Sequence, residues 1–499
     1  MGLNAVDLLV IAAYLVGVTL FGLRFRGKER TLKGYFLADN TIPWWAISLS
    51  IVAAETSTLT IISVPGLAYE KDFRFLQLVI GYLVGRIVVS FVLIPQYFRG
   101  QLVTAYQLIE RRFGGRLRSL TAGLFLVTRA AAEGVRVFAV AIVIRVALGG
   151  LLTGLSDLSR DVVAIALVTL LTLIYTFEGG MAAVIWTDVV QLSIYLAGSV
   201  VALFSIVHLV PGGWQTIHAA AAQAGKFRMF DTSFNLSTAY TLWAGVIGGA
   251  FLTTASHGTD QLIVQRLLSA RSERQAKAAL LSSGVAIFFQ FSLFLLIGAM
   301  LYVFYKMFPP ASPFSRTDTI FPTYIVSRLP HALSGLLISA ILAAAMSNLS
   351  AALNSLSSTT IVDFFARIWP LSTEARRVQL SRRATIVWAL LLFVLALLAR
   401  NGGKVLEMGL SIASVAYGSL LGVFLLGVLT GRASERGAML GMLCGFGLNL
   451  YLWLCTSVAF TWYVVFGSVA TFLIGYGASW LLPQPASEQP MPRSVHDNG

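Results

Sequence analysis

Between positions 344 and 355 the chain presents Ala344, Ser347, Ser350, Ala351, Asn354 and Ser355 at intervals of three and four. On a helix that spacing stacks small, oxygen-bearing side chains on overlapping faces for about two turns. Hydroxyl and amide oxygens, together with backbone carbonyls freed where a helix breaks, suit a hard monovalent cation. The same stripe also suits close helix packing. Two further stretches mix hydroxyl and small residues where a lipid-facing helix would be apolar. One is Ala53-Ala54-Glu55-Thr56-Ser57-Thr58-Leu59-Thr60, followed by Pro65 and Gly66; the other is Thr253-Thr254-Ala255-Ser256-His257-Gly258-Thr259-Asp260. Unwound backbone is tolerated in a membrane only where protein or a cavity satisfies it, so paired polar breaks point to a solute site near the midplane. Ser57, Thr58 and Thr60 are candidate solute contacts there.

Charges placed inside apolar runs carry the second signal. An unpaired carboxylate at Asp188 would cost roughly 3 kcal/mol to insert, so a partner is expected: a cation, an arginine or a helix end. Arg129, Glu133 and Arg136 stand four and three apart in one apolar stretch. They form either a self-neutralising intrahelical pair or a guanidinium that faces a cavity and grips a solute carboxylate bidentately. Phe73 and Gln77, four apart, could stack on and hydrogen-bond a pyranose ring.

The elements that must position these residues are membrane helices. Hydrophobic residues make up 57% and charged residues 12% of 499 positions, and the mean hydropathy is +0.80. A soluble domain is excluded by that balance. Runs of about 20 apolar residues predict thirteen spans, at about 5–23, 42–68, 75–98, 117–149, 161–177, 181–209, 237–256, 278–306, 333–364, 384–399, 405–430, 437–456 and 460–482. The chain therefore reads as an all-α membrane protein with a single integral domain over 1–482. Five spans separate the two breaks, which matches a 5+5 inverted repeat over about 42–209 and 237–430, with helices 5–23, 437–456 and 460–482 added.

The net charge of +14 sits in short clusters between spans, around 24–33, 99–118, 266–277, 367–383 and 432–436. Those clusters read as topology signals rather than a nucleic-acid surface, and Arg266 is counted among them. They predict a multi-pass plasma-membrane protein with the N-terminus outside, and a disordered cytoplasmic tail over 483–499. Segment 5–23 lacks a basic leader and a small-residue cleavage site, so it reads as a retained span. Cys444 and Cys455 support neither a disulfide framework nor a metal site.

Four segments resemble the sodium:solute symporter family, which includes the sodium-glucose and sialic acid transporters. They are Tyr35-Phe36-Leu37-Ala38 with Trp44-Trp45, Gly179-Gly180-Met181 through Trp186-Thr187-Asp188, Gly258-Thr259-Asp260-Gln261 through Gln265-Arg266, and Met346 through Ser355. The resemblance implies a leucine-transporter (LeuT)-like fold, Na+ as the coupling ion and alternating access. It implies a principal sodium site at the carbonyls of Ala53, Thr56 and Ala344 and the hydroxyl of Ser347, with Asn348 where the family has a second hydroxyl. It further implies a second sodium at Asp188, Ser347 and Ser350, although Ala351 replaces another family hydroxyl. Sialic acid transporters of the family use an arginine at the position matching Arg129 for the substrate carboxylate.

The galactose-type contacts are replaced here by Thr60, Ser256 and Ile287. Glu55 stands where several members have Asn; it could hold a proton, meet a solute amine or sugar hydroxyls, or pair with Arg129. The expected function is sodium-coupled uptake of a small polar solute, an acidic sugar such as sialic acid first, a neutral sugar or monocarboxylate second. A membrane enzyme is disfavoured because HExxH, GxSxG and clustered histidines are absent. A channel is disfavoured by the paired breaks. The expected partners are the solute, sodium ions and the lipid bilayer, with no nucleic acid and no obligate protein partner.

Overall fold

Apolar runs in lipid must satisfy every backbone N–H and C=O within the segment, and helices are the structure that does so. The computed structural model describes residues 3–23, 37–99, 105–150, 152, 154–175, 181–310, 312–365, 368–369 and 374–482. Tyr35, Phe36, Gly179, Gly180, the basic loop 24–33 and the tail 483–499 lie outside the described residues.

The helices run in the order α1 (Ala5–Leu23), α2 (Trp44–Glu55), α3 (Thr58–Glu70), α4 (Leu76–Arg99), α5 (Ala105–Phe113), α6 (Gly115–Ala147), α7 (Asp157–Tyr175), α8 (Met181–Leu209) and α9 (Gly213–Gln223). After a wide turn at Ala244–Gly248 follow α10 (Gly249–Gly258), α11 (Gln261–Leu268), α12 (Glu273–Met307), α13 (Ile320–Arg328), α14 (Leu333–Thr359), α15 (Glu374–Ala399), α16 (Val405–Leu429), α17 (Glu435–Cys455) and α18 (Tyr463–Leu481). Among the described residues the sole extended pairing is a bridge between Ile42 and Ala270.

Eight helices among the described residues are long and apolar enough to cross a membrane, nine when α2 and α3 count as one bent span. The thirteen expected from the sequence exceed that number for identifiable reasons. The apolar part of α1, Ala5–Phe21, is short. Helix α7 opens with Asp157, Arg160 and Asp161, and α6 carries Arg129, Glu133, Arg136 and Arg145. Helix α10 is 10 residues long because it stops at the polar break.

Glycine lets two helices meet where the site is built. A Cβ on Gly81 would fall 2.3 Å from the Gly245 carbonyl oxygen, and one on Gly249 would fall 2.5 Å from that of Leu78. Close approach of α4 to the start of α10 therefore requires these glycines. It sets the Tyr82–Arg86 face of α4 against Ser256 and His257. Helix α12 packs along both α2 and α3, and α14 packs against α6 and α8. Terminal donors are capped: Ser272 Oγ accepts from the Gln275 amide at 3.3 Å, and Ser434 Oγ accepts from the Gly437 amide at 3.1 Å. Glu435 Oε1 takes the first free amides of α6, from Arg116 at 2.8 Å and Leu117 at 3.0 Å.

Candidate solute and cation site

Helix α2 ends at Glu55, and α3 leaves at an angle of 64° after Thr56 and Ser57 leave helical geometry. Thr56 is fully buried. Its hydroxyl donates to the Val52 carbonyl at 2.7 Å and accepts from Gln290 Nε2 at 2.5 Å. The second break falls at Thr259 and Asp260, where Asp260 caps α11 by accepting from the Leu262 amide at 2.9 Å.

A cavity of about 200 Å³ lies between the breaks, walled by α2, α3, α4, α5, α6, α10, α11, α12, α14 and α16. Glu55, Ser57, Thr60, Arg129 and Asn348 all reach it, so five of the residues singled out from sequence share one wall. Phe75, Tyr82 and Phe291 form its aromatic side, with Phe75 and Phe291 ring centroids 5.2 Å apart. Thr58, with Ser57 and Asn348, lines a second cavity of about 20 Å³ beside Glu133 and Arg136.

Arg129 is 8% exposed. Its Nη2 lies 2.9 Å from Glu133 Oε1 and its Nη1 3.6 Å from Asp260 Oδ2. Glu133 Oε1 also accepts from Arg136 Nη1 at 2.9 Å, and Tyr417 donates to Asp260 Oδ2 at 2.8 Å. The Arg129 Nε and Nη2 atoms have no acceptor in hydrogen-bonding geometry, and neither Glu133 Oε2 nor Thr58 Oγ1 has a partner. The cluster is neutral but incompletely bonded.

Glu55 does not pair with Arg129. Its Oε2 takes Arg86 Nη2 and its Oε1 takes His257 Nε2 at 2.8 Å, while Ser256 Oγ stands 2.9 Å from His257 Nδ1. Arg86, fully buried, also donates from Nε to Ser283 Oγ at 3.2 Å. Neither Arg86 nor His257 was singled out from sequence, although an arginine inside span 75–98 is itself the signal of a buried partner.

Asp188 finds an arginine. Its Oδ2 accepts from Ser50 Oγ at 2.6 Å and from Arg266 Nη2 at 3.0 Å, and Arg266 Nε reaches Ser50 Oγ at 2.9 Å. Arg266, counted from sequence among the topology charges, is 4% exposed and paired with Asp188. Ala53, Ala344 and Ser350 are buried and Ser347 half-buried, none of them on the wall of the large cavity.

Phe73 and Gln77 lie outside both cavities. Helix α4 starts at Leu76, so Phe73 falls in the preceding turn. It meets Phe227 edge-on at 5.5 Å. The Gln77 amide is consumed by the 225–240 loop, donating to the Tyr240 carbonyl at 3.0 Å and accepting from the Asp231 amide at 3.1 Å. Arg74 adds an ion pair to Asp231 at 2.9 Å. The Ser233 hydroxyl and amide, and then Arg74, hold the Asp231 carboxyl below its ordinary range. Lys226 closes the same rim, donating to the carbonyls of Tyr69 at 2.6 Å and Lys71 at 2.9 Å.

A profile of the sodium:solute symporter family matches residues 35–445. The sodium/sialic acid symporter NanT of Aliivibrio fischeri is 27% identical over 488 residues, 95% of this chain and 92% of that one. Sodium-coupled monocarboxylate transporter 1 of Xenopus laevis is 26% identical over 496 residues, 98% of this chain and 75% of that one. Among solved structures, a Na+-coupled sialic acid symporter in a substrate-bound outward-open state, in which a novel Na+ site is described, superposes with a TM-score of 0.81 at 28% identity. That match covers 96% of this chain and 98% of the other. With a profile match over most of its length and two breaks framing one polar cavity, the chain belongs to the sodium:solute symporter family.

Proposed function

We propose that this symporter imports a small solute bearing a carboxylate, an acidic sugar such as a sialic acid, with Na+ as its coupling ion. The observation that carries this reading is Arg129: a buried guanidinium on the cavity wall whose Nε has no acceptor and whose Nη2 meets Glu133 only as an ion pair, outside hydrogen-bonding geometry. A planar guanidinium in that state matches a carboxylate bidentately. The aromatic wall of Phe75, Tyr82 and Phe291 supplies the apolar face a sugar ring stacks on. Relatives named for sialic acid and for monocarboxylates share the demand for an anion-binding residue. The second reading, a monocarboxylate, is favoured by the same arginine and by the low polarity of the rest of the wall.

The integral domain extends over 1–482 as thirteen helices in a LeuT-like 5+5 inverted repeat, set in the plasma membrane with the N-terminus outside. The closed rim of Arg74, Gln77, Lys226 and Asp231 then faces outward, and the Tyr106 and Arg266 end of the cavity wall lies on the cytoplasmic side. Phe73 and Gln77 contact solute when that rim opens, and Ser57 and Thr60 from within the cavity. Sodium sits against Ala53, Thr56, Ala344, Ser347 and Asn348; a second ion at Asp188, Ser347 and Ser350 requires Arg266 to move aside.

Reconstituted protein tests the reading by counterflow of sialic acids, monocarboxylates and neutral hexoses. Sialic acid uptake that stops when choline replaces sodium, with Ser347→Ala raising the sodium concentration required, is the expected result. Exchange of a neutral hexose but none of its acidic analogues overturns the carboxylate assignment.

A further inference from the structure

The small cavity between α3, α6 and α14 has a composition the solute reading does not use. Its volume of about 20 Å³ admits one water-sized particle. Two of its lining residues each carry a buried oxygen without a hydrogen-bond partner: Glu133 (Oε2), 1% exposed, and Thr58 (Oγ1), 3% exposed. Ser57 and Asn348 complete the polar wall. Arg136 reaches it too, but its Nη1 is committed to Glu133 Oε1, the opposite oxygen of the carboxylate. An isolated buried polar oxygen is costly, and here two belong to residues that line one particle-sized space.

Charge conservation in a low-dielectric site says when that space is occupied. Arg129, Arg136, Glu133 and Asp260 sum to zero, each positive group lying within ion-pair distance of a negative one. A solute carboxylate bound at Arg129 draws that guanidinium from Glu133 and leaves the cluster at minus one. Buried net charge is expensive, so the arriving anion creates a demand for one monovalent cation within a few ångströms. Glu133, whose Oε2 is unpartnered, and Thr58, Ser57 and Asn348 offer hard oxygen donors around the space beside that charge.

We propose that this cavity is a sodium site that fills only when an anionic solute occupies Arg129. None of Asp188, Ala53, Thr56, Ala344 and Ser347 lines it, and of the sodium set proposed above, it shares only Asn348. It rests on the assignment of Arg129 as the carboxylate contact, and it makes coupling a consequence of local charge balance: the anion and its cation enter together because neither is stable alone. Without solute, Arg129 and Arg136 repel a cation from the space.

The test counts radioactive sodium bound to the purified full-length protein with no solute, with saturating sialic acid and with its neutral methyl ester, while solute binding is followed separately. Sialic acid is expected to add one sodium per chain, and the methyl ester none. Glu133→Gln removes the added sodium and leaves the solute-free count unchanged. Thr58→Val, which keeps size and charge and so guards against misfolding of the first variant, raises the sodium concentration for half-maximal solute-dependent binding by about tenfold. If sialic acid binds wild type with no added sodium, or Glu133→Gln retains it, the space holds water only and the cation site is wrong while the Arg129 assignment stands. If sialic acid does not bind wild type, or Arg129→Gln binds it as wild type does, the solute reading fails and this site falls with it.

Discussion

Among the described residues, the carboxylate–guanidinium clusters around Asp188 and around Arg129 are both buried, and they are built to opposite specifications. Around Asp188 the geometry is closed: one carboxylate oxygen holds both Ser50 and Arg266, and Arg266 returns to Ser50 and to the Leu262 carbonyl at 2.8 Å. Around Arg129 it is open, with the guanidinium Nε and a carboxylate oxygen left without partners beside two cavities. A closed buried pair resists rearrangement because each group would strand the other. An open one keeps capacity for a ligand. The first cluster should therefore report on stability and the second on binding.

The largest effect expected from that contrast is on folding. Arg266→Ala strands the Asp188 charge and should lower stability by about 3 to 5 kcal/mol, read as a large drop in melting temperature in detergent. Replacing both partners together with apolar residues should recover most of the loss. A melting temperature that hardly moves in Arg266→Ala, together with a sodium Hill coefficient that falls in Asp188→Asn, would turn the contrast around and make Asp188 an ion ligand.

The Arg129 cluster should respond in affinity instead. Arg129→Gln is expected to weaken binding of an acidic solute by about 2 to 5 kcal/mol, more than tenfold, with sodium still raising thermal stability. Arg129→Lys should rescue only in part, since a point charge cannot reproduce the guanidinium fork. If the double change Arg129→Gln with Glu133→Gln restored transport, the open cluster would be a self-neutralising pair like the other.

Both clusters show how far a sequence can be read and where the reading stops. The polar breaks at 53–60 and 253–260 were legible because hydroxyl groups interrupt apolar runs, a local property. The Arg129–Glu133 pair was legible because it lies one helical turn apart. Partners distant in the chain were not: Arg86 meets Glu55 across 31 positions and Arg266 meets Asp188 across 78. Helix packing decides those pairings, and composition does not encode it. Phe75 rather than Phe73 reaches the cavity wall because both lie in the turn before α4, whose side-chain directions do not follow a helical period. The charges on α6 and α7 mattered in another way: they mark helices that serve the interior, and they lower the very hydropathy by which spans are counted.

Glu55 lies between the two extremes, closed by Arg86 and His257 yet touching the cavity. Replacing His257 with Gln leaves the Arg86 pair in place and removes one charge-assisted bond. The expected loss is about 1.5 to 3 kcal/mol of stability, with sodium stoichiometry unchanged. A change in stoichiometry would move Glu55 from the closed class to the open one.

The smallest effect belongs to the rim of Arg74, Gln77, Lys226 and Asp231, where ion pairs are part-exposed. Arg74 and Asp231 side chains are 26% and 14% exposed, so solvent screens their attraction. Asp231→Asn should shift the balance between closed and open rims by about 0.2 to 1 kcal/mol, a factor of five at most. Its pH dependence has a definite sign. Because Ser233 and Arg74 depress the Asp231 carboxyl in the closed state, the closed rim gains from ionised Asp231 above the ordinary carboxylate range and loses that gain as pH falls through the lowered value. Closure should accordingly be flat from neutral pH down to about pH 5, and loosen only in stronger acid. The measurement is thiol labelling of Phe73→Cys, from outside, in protein lacking Cys444 and Cys455. Labelling that rises between pH 7 and pH 5 would mean another group holds the rim, and Lys226, tied to two carbonyls and seated over Tyr302 at 4.2 Å, is the next to remove.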